Sequence, residues 1–257
     1  MISYGSKDQP KVAVLILEDF VERAGGTRKA FDDRRYLGLH IILDVIKKAY
    51  GIEAGYTSVT HINDYDIILI SLTSTNDIYN LIYTMERHGV TVRHETKVIV
   101  GGAGVANVRT YSRYGDFFVF GRGELPIVDI MEHLINNAPL VNDSVYVKGR
   151  DSLDGVGSYR IAQVDNPYPN EVAGMKESML GCPKKCFYCA YTYHRKPQKE
   201  VYTYHDNDFY SAAEMTIREV VTDIKNGSRV ITSIDGSSAR LRKAMNKEMS
   251  DEEYQRV

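Results

Sequence analysis

An α/β fold built on a doubly wound parallel sheet is what residues 1–140 predict, and three observations predict it. Short, wholly apolar, β-branched runs recur along this stretch, as they do in strands covered on both faces. Segments with apolar residues at helical spacing separate those runs. Small and hydroxyl residues follow the strands, at the ends where open parallel sheets bind ligands.

The elements follow in order. "KVAVLIL" (11–17) is the first buried strand. In "YLGLHIILDVIKKAYG", Leu39, Ile42, Leu43 and Ile46 recur at helical spacing and Gly51 supplies a stop. "IEAGYTS" (52–58) is a weaker strand, and "DIILISL" (66–72) a second strong one. "TNDIYNLIYTMERHG" reads as a helix, with Thr75 or Asn76 as its cap and Gly89 as its end. "KVIVGGAG" (97–104) and "DFFVFGRGE" (116–124) are the last strands, and "LPIVDIMEHLINN" is the helix after them. Alternating strands and helices imply parallel pairing through right-handed crossovers.

Such a sheet opens its crevice at the carboxyl ends of the strands. Those ends are Glu18-Asp19, Ser71-Leu72-Thr73-Ser74, Gly101-Gly102-Ala103-Gly104 and Gly121-Arg122-Gly123-Glu124. Glycine lets a ligand approach the backbone closely, although it also serves simply to turn a strand into a helix. A binding edge accounts for two glycine-rich ends and a Ser/Thr end better than turns alone. No G-x-G-x-x-G follows the first strand and no G-x-x-x-x-G-K-[ST] occurs, which weakens a dinucleotide reading and excludes a P-loop.

Composition bounds the remaining possibilities. The chain has 257 residues, enough for one large domain or two ordinary ones. Its formal net charge of −2 gives no sign of a nucleic-acid surface. No apolar run approaches the roughly 18 residues of a membrane span, and the start does not read as a signal peptide. Residues 138–172 are rich in Gly, Asp, Asn and Pro. They read as a linker in which "SVYVKG" and "YRIAQV" form a hairpin. The predicted organisation is an α/β domain over 1–140, a linker over 141–172 and a second domain over 173–257.

All three cysteines of the chain, Cys182, Cys186 and Cys189, lie in "GCPKKCFYCAYTYHR". They are odd in number and too close together for a disulfide framework, so a reducing cytoplasm is the expected setting. Three readings compete for them. Structural zinc wants four ligands, with His194 or His205 supplying the fourth, but the usual paired C-x-x-C motifs are missing. A redox dithiol of Cys186 and Cys189 leaves Cys182 idle. An iron–sulfur cluster held by three thiolates leaves one iron open to a substrate or cofactor. The spacing favours the third reading. His61, His88 and His94 are scattered singly and are assigned no role.

C-x-x-x-C-x-[aromatic]-C, with Tyr188 at the aromatic position, resembles the signature of the radical S-adenosylmethionine superfamily. The resemblance implies that the three cysteines hold a 4Fe–4S cluster. Its open iron would bind S-adenosylmethionine, and an external electron donor would reduce it to release a 5′-deoxyadenosyl radical. An α/β domain directly before such a motif is similar to the cobalamin-binding subclass, which implies a Rossmann-type first domain and a corrinoid as a further cofactor. On that resemblance Ser71, Thr73, Gly101, Gly102, Gly121, Gly123 and Glu124 would line the corrinoid's lower face and nucleotide tail. One departure stands out: no D-x-H-x-x-G motif, which would supply a cobalt-ligating histidine, follows the first strand. Many radical members lack it, so its absence leaves open whether this chain binds a corrinoid.

The C-terminal part resembles the family only in pieces. "SRVITSIDGSSARLRKAMNK" is similar to a family segment whose acidic residue approaches the cofactor ribose, yet only 45 residues separate Cys189 from Asp235. A second-strand loop that contacts the cofactor's amino group is an equal match, and Asp235 and Ser237 are cofactor candidates on either one. About 87 residues run from Glu171 to Val257, room for roughly two of the six or so β/α units such a barrel needs. The expectation is a partial (β/α) barrel, belonging either to a fragment of a longer enzyme or to a chain that a second chain completes. The activity implied is hydrogen abstraction, or methyl transfer where a corrinoid is present. A non-catalytic iron–sulfur subunit or scaffold is the alternative.

Overall fold

The structure is a computed structural model that describes residues 9–18, 37–73, 75–154, 171–172, 175–176 and 222. It divides into two compact units, Met1–Tyr168 and Pro169–Val257.

The first unit is a mixed α/β domain. Its elements are β1 (Val12–Leu15), α1 (Leu37–Tyr50), β2 (Gly55–Thr57), β3 (Ile67–Ser71), α2 (Thr75–His88), β4 (Lys97–Gly101), β5 (Phe117–Val119), α3 (Glu124–Asn136) and β6 (Val145–Val147). Turns of 3-10 helix occupy Val59–Asp64, Ala103–Thr110 and Ser112–Tyr114. One six-stranded sheet runs in the order β2-β1-β3-β4-β5-β6. The first four pairings are parallel and the last, β5 with β6, is antiparallel.

Alternation along the strands gives each face its own core. Val12, Val14, Ile67, Leu69, Ile99, Phe117 and Val119 point to one face, where Val45 and Ile46 of α1 and Ile127, Ile130 and Met131 of α3 cover them. Ala13, Leu15, Ile68, Ile70, Val98, Val100 and Phe118 point to the other. There α2 supplies Ile78, Leu81 and Met85, and the 3-10 turns supply Val59, Ile62, Val105 and Val108. Strands buried on both sides have no polar positions to spare, which is why their sequences are continuous apolar runs. Each fully buried Ile, Leu or Phe adds about 1.5–3 kcal/mol of transfer free energy.

The helices end as their sequences require. Gly51 takes φ +69° and donates its N–H to the Lys47 carbonyl, closing α1. Asn137 takes the left-handed conformation after α3 and donates its N–H to the Glu132 carbonyl. The Tyr50 hydroxyl joins α1 to α3: it lies 3.0 Å from both the Val128 carbonyl and the Glu132 carboxylate, which share its one proton.

Two features lie outside the expected pattern. Residues 103–114 form short 3-10 turns, whose Val105, Val108 and Tyr111 are buried. Residues 145–147, part of the segment expected to be a linker hairpin, pair with β5 and extend the main sheet. No helix among the described residues is long and apolar enough to cross a membrane.

In the second unit, Glu171–Val172 and Met175–Lys176 pair antiparallel. The expected partial barrel, Cys182, Cys186, Cys189, Tyr188, Asp235 and Ser237 lie outside the described residues.

Candidate functional site at the carboxyl ends of the strands

In the strand order 2-1-3-4-5 the connections diverge between β1 and β3, and open sheets of this kind bind ligands outside the carboxyl ends near such a point. Three stretches of the sequence-predicted edge are described along that side of the sheet: the ends of β3 and β4 and the start of α3. They differ sharply in what their own chain already uses.

Ser71 and Gly101 are register partners at the last level of β3 and β4. By strand alternation they sit on the same face as Leu69 and Ile99, the face that α1 and α3 cover. A Cβ added at Gly101 would meet nothing within 4 Å. Ser71 is half-buried, and its hydroxyl makes no hydrogen bond to any described residue. Together they form a floor of two small residues, with open space over one and, among the described residues, no hydrogen bond to the hydroxyl of the other.

Gly102 does the opposite. Its φ is +96°, and a Cβ there would lie 2.3 Å from the Leu72 carbonyl oxygen. Around it the chain is stitched shut: the Leu72 N–H donates to the Gly101 carbonyl, and the Gly104 N–H to the Leu72 carbonyl, each at 2.8 Å. This glycine is there so that two backbones can touch. A Cβ on Gly123 would meet the Ile42 Cδ1 at 2.9 Å, so its missing side chain makes room for α1. Gly121 holds φ +87° at the exit from β5.

The polar residues are also engaged. The Thr73 backbone N–H and hydroxyl both donate to Oδ2 of Asp77, each at 2.7 Å. Glu124 opens α3 and is 5% exposed. Its Oε1 accepts from Nε of Arg122 at 2.8 Å and lies 2.6 Å from the Arg122 Nη2. At the exit from β1, the Glu18 N–H donates to Oγ1 of Thr84 at 2.9 Å. The Glu18 carboxylate lies 2.9 Å from Nε2 of His88 and 3.3 Å from Nη1 of Arg87. Glu18 is therefore bound to the far end of α2, a partnership that strand-end reading could not foresee.

Tyr111 supports the glycine loop from inside. It is fully buried, its hydroxyl donates to the Gly104 carbonyl at 3.2 Å, and its ring lies 5.8 Å from that of Phe118. Burial pushes its pKa far above the ordinary tyrosine value, because the phenolate would be left without water.

The opposite edge holds a polar cleft of about 590 Å³ lined by Lys11, Asn63, Asp64, Tyr65, Asp66, Arg93, Glu95 and Thr96. Its backbone groups are tied by local bonds, such as the Lys11 N–H to Oδ2 of Asp66 at 2.8 Å and the Thr96 hydroxyl to the Tyr65 carbonyl at 2.9 Å. Among the described residues, no three His, Cys, Asp or Glu side chains gather as a metal site.

The fold and the strand-end site define an α/β domain with a mostly parallel sheet and a small-residue floor at its carboxyl edge. No protein-family model matches the chain, and no curated protein matches it. Among solved structures it is similar to the apo, selenomethionine-labelled cobalamin-dependent S-adenosylmethionine radical enzyme OxsB, at 16% identity and a TM-score of 0.43. That match covers 70% of this chain and 28% of the other, so this chain spans well under half the length of that enzyme. Function must therefore be read from the residues of this chain.

Proposed function

We propose that the chain belongs to a radical S-adenosylmethionine enzyme of the cobalamin-binding subclass. The observation that carries this reading is the triad Cys182, Cys186 and Cys189 with Tyr188 between the last two. Three thiolates suit a 4Fe–4S cluster that keeps one iron open, whereas the paired C-x-x-C motifs usual for structural zinc are missing. Asp235 and Ser237 are the residues proposed to meet the S-adenosylmethionine.

The first domain suits a corrinoid at one place. The open space over Gly101 and the uncommitted Ser71 hydroxyl support contact with a large planar ligand, whereas Gly102 and Gly123 are filled by their own chain. Gly121 and Thr73 would border the ligand, with Glu124 and Arg122 behind them. When bound, these groups supply reductive cleavage to a 5′-deoxyadenosyl radical, hydrogen abstraction from an unactivated carbon and, with the corrinoid, methyl transfer. The chain's own share is to hold the cysteine thiolates deprotonated, to fix the ligand on the sheet edge and to exclude water from it. An external electron donor is required, and a second chain or further sequence would complete the barrel. A reducing, cytoplasmic setting fits the free thiols.

Anaerobic reconstitution tests the reading. About four irons and four sulfides per chain are expected, and the brown colour should vanish in Cys186→Ala. Stoichiometric zinc without iron would overturn it. Formation of 5′-deoxyadenosine under reducing conditions separates an enzyme from the scaffold alternative.

A further inference from the structure

The outermost strand of a sheet offers its peptide groups to any further strand, and β6 holds that place here. Among the described residues no strand pairs with its outer side. The Phe120 N–H donates to the Ser144 carbonyl at 2.8 Å and the Lys148 N–H to the Asp116 carbonyl at 2.9 Å. Ser144 and Lys148 therefore bond toward β5, and by alternation Val145 and Val147 turn their peptide groups outward. Those outward groups are already engaged by residues close by in the chain. The Val145 N–H donates to the Asn142 carbonyl at 3.0 Å, and the Val147 N–H to Oδ2 of Asp151 at 2.8 Å. The Val147 carbonyl accepts from the N–H groups of Arg150 and Asp151, at 3.2 and 3.0 Å.

The segment that does this is itself tied down. Gly149 makes the turn at φ +82°. Arg150 holds the two oxygens of Asp151, at 2.7 and 2.9 Å, and donates to the Leu140 carbonyl at 2.8 Å. Lys148 Nζ reaches the Arg113 carbonyl at 3.0 Å, and Arg109 the Leu153 carbonyl at 2.8 Å. A carboxylate thus stands where a carbonyl of a seventh strand would stand.

We propose that Asp151 and the turn at Gly149 form a strap that closes the β6 edge, and that the strand it keeps out is β6 of a second copy of this chain. The sequence of β6, Val-Tyr-Val, suits strand pairing. Antiparallel pairing about a two-fold axis would set the Val147 N–H of each copy against the Val145 carbonyl of the other. The proposal stands apart from the cofactor reading.

The test compares the full chain with its variants by amide exchange and sedimentation velocity. In the unaltered chain the Val147 amide should exchange at least about a hundredfold more slowly than in an unstructured peptide, although it faces away from β5. Asp151→Asn keeps an acceptor oxygen and should keep most of that protection. Asp151→Ala should lose it at Val147 while Tyr146 and Lys148 stay protected. Adding Gly149→Val, whose Cβ has room but whose branched side chain is strained at φ +82°, should also open the turn. That double variant should associate as concentration rises, toward about twice the mass of the unaltered species. A third change, Val147→Pro, should restore the unaltered mass, because it removes the outward donor and no bond to β5. A Val147 amide that exchanges freely in the unaltered chain would overturn the proposal. So would a double variant of unchanged mass, or association that persists with Val147→Pro. If the double variant does not fold by circular dichroism, exchange in the unaltered chain and in Asp151→Asn decides.

Discussion

The two ends of the central sheet are both polar, yet they are put together differently. At the amino ends, charged side chains bond to backbone: Oδ2 of Asp66 accepts from the Lys11 N–H, and Oδ2 of Asp116 accepts from the Val98 N–H at 2.9 Å. These carboxylates replace the ladder where the strands begin. At the carboxyl ends the Leu72–Gly104 stitch adds backbone-to-backbone closure to side-chain bonds such as that of Asp77 with the Thr73 N–H, and open space remains over Gly101 beside Ser71. One end spends its polar groups on holding strands together. The other leaves a small-residue floor at Ser71 and Gly101.

Substitutions can break or sharpen the contrast. The largest effect is expected from Gly102→Val, which forces a Cβ against the Leu72 carbonyl and a β-branched side chain into φ +96°. A loss of about 3 kcal/mol or more is expected, read as a large drop in the urea midpoint. A mild effect would mean that the stitch is not structural and that the glycine serves the ligand.

Asp116→Ala at the amino end should cost about 1–3 kcal/mol by orphaning the Val98 N–H. Corrinoid retention should not change. If retention fell at unchanged fold, the two ends would not be independent.

Tyr111 adds a pH signature. Its folded-state pKa is raised by burial, so the stabilising contribution is fully present below the ordinary tyrosine value of about 10 and is lost as pH rises above it. The urea midpoint should therefore fall between about pH 10 and 11, and Tyr111→Phe should flatten that fall. At neutral pH the same change should cost about 1 kcal/mol for the bond to Gly104. An alkaline fall of equal depth in the variant would assign the effect to other groups.

The smallest effect on stability belongs to Gly101→Ala, where a Cβ meets open space and a change within about 1 kcal/mol is expected. Corrinoid retention should nevertheless weaken, and Gly101→Leu should abolish it at intact fold. Unaltered retention in both variants would move the ligand away from this end of the sheet.

These contrasts were only partly legible in the sequence. Strands such as "DIILISL" and "KVIVGG" announced themselves because burial on both faces leaves no polar positions, and the helices did so through their periodicity and their closing glycines. The turns at 103–114 were not visible: "VANVRTYSRY" has neither helical nor strand period, and its Val105, Val108 and Tyr111 are placed by the core they cap. Strand β6 was legible as a strand, but its partner was not, because pairing with β5 spans the whole of α3. At the site, composition brought out the glycines without distinguishing them. Gly101 and Gly102 are adjacent letters, and only the positions of the Leu72 carbonyl and of open space separate a receptive residue from a structural one. The link from Glu18 to His88 spans 70 positions and left no local trace.

The antiparallel strand β6 carries a consequence for where this chain can be cut. Without it, Phe117, Phe118 and Val119 would form the rim of the sheet, with their unpaired peptide groups facing outward. An apolar, β-rich rim of that kind is a template for joining another molecule edge to edge. Val145–Val147 shields it, and the Lys148 N–H fastens the end of the shield to the Asp116 carbonyl at 2.9 Å. A polypeptide ending at residue 140 would retain all three described helices and five strands, and would still be expected to aggregate. One that continues to residue 154 should remain dispersed.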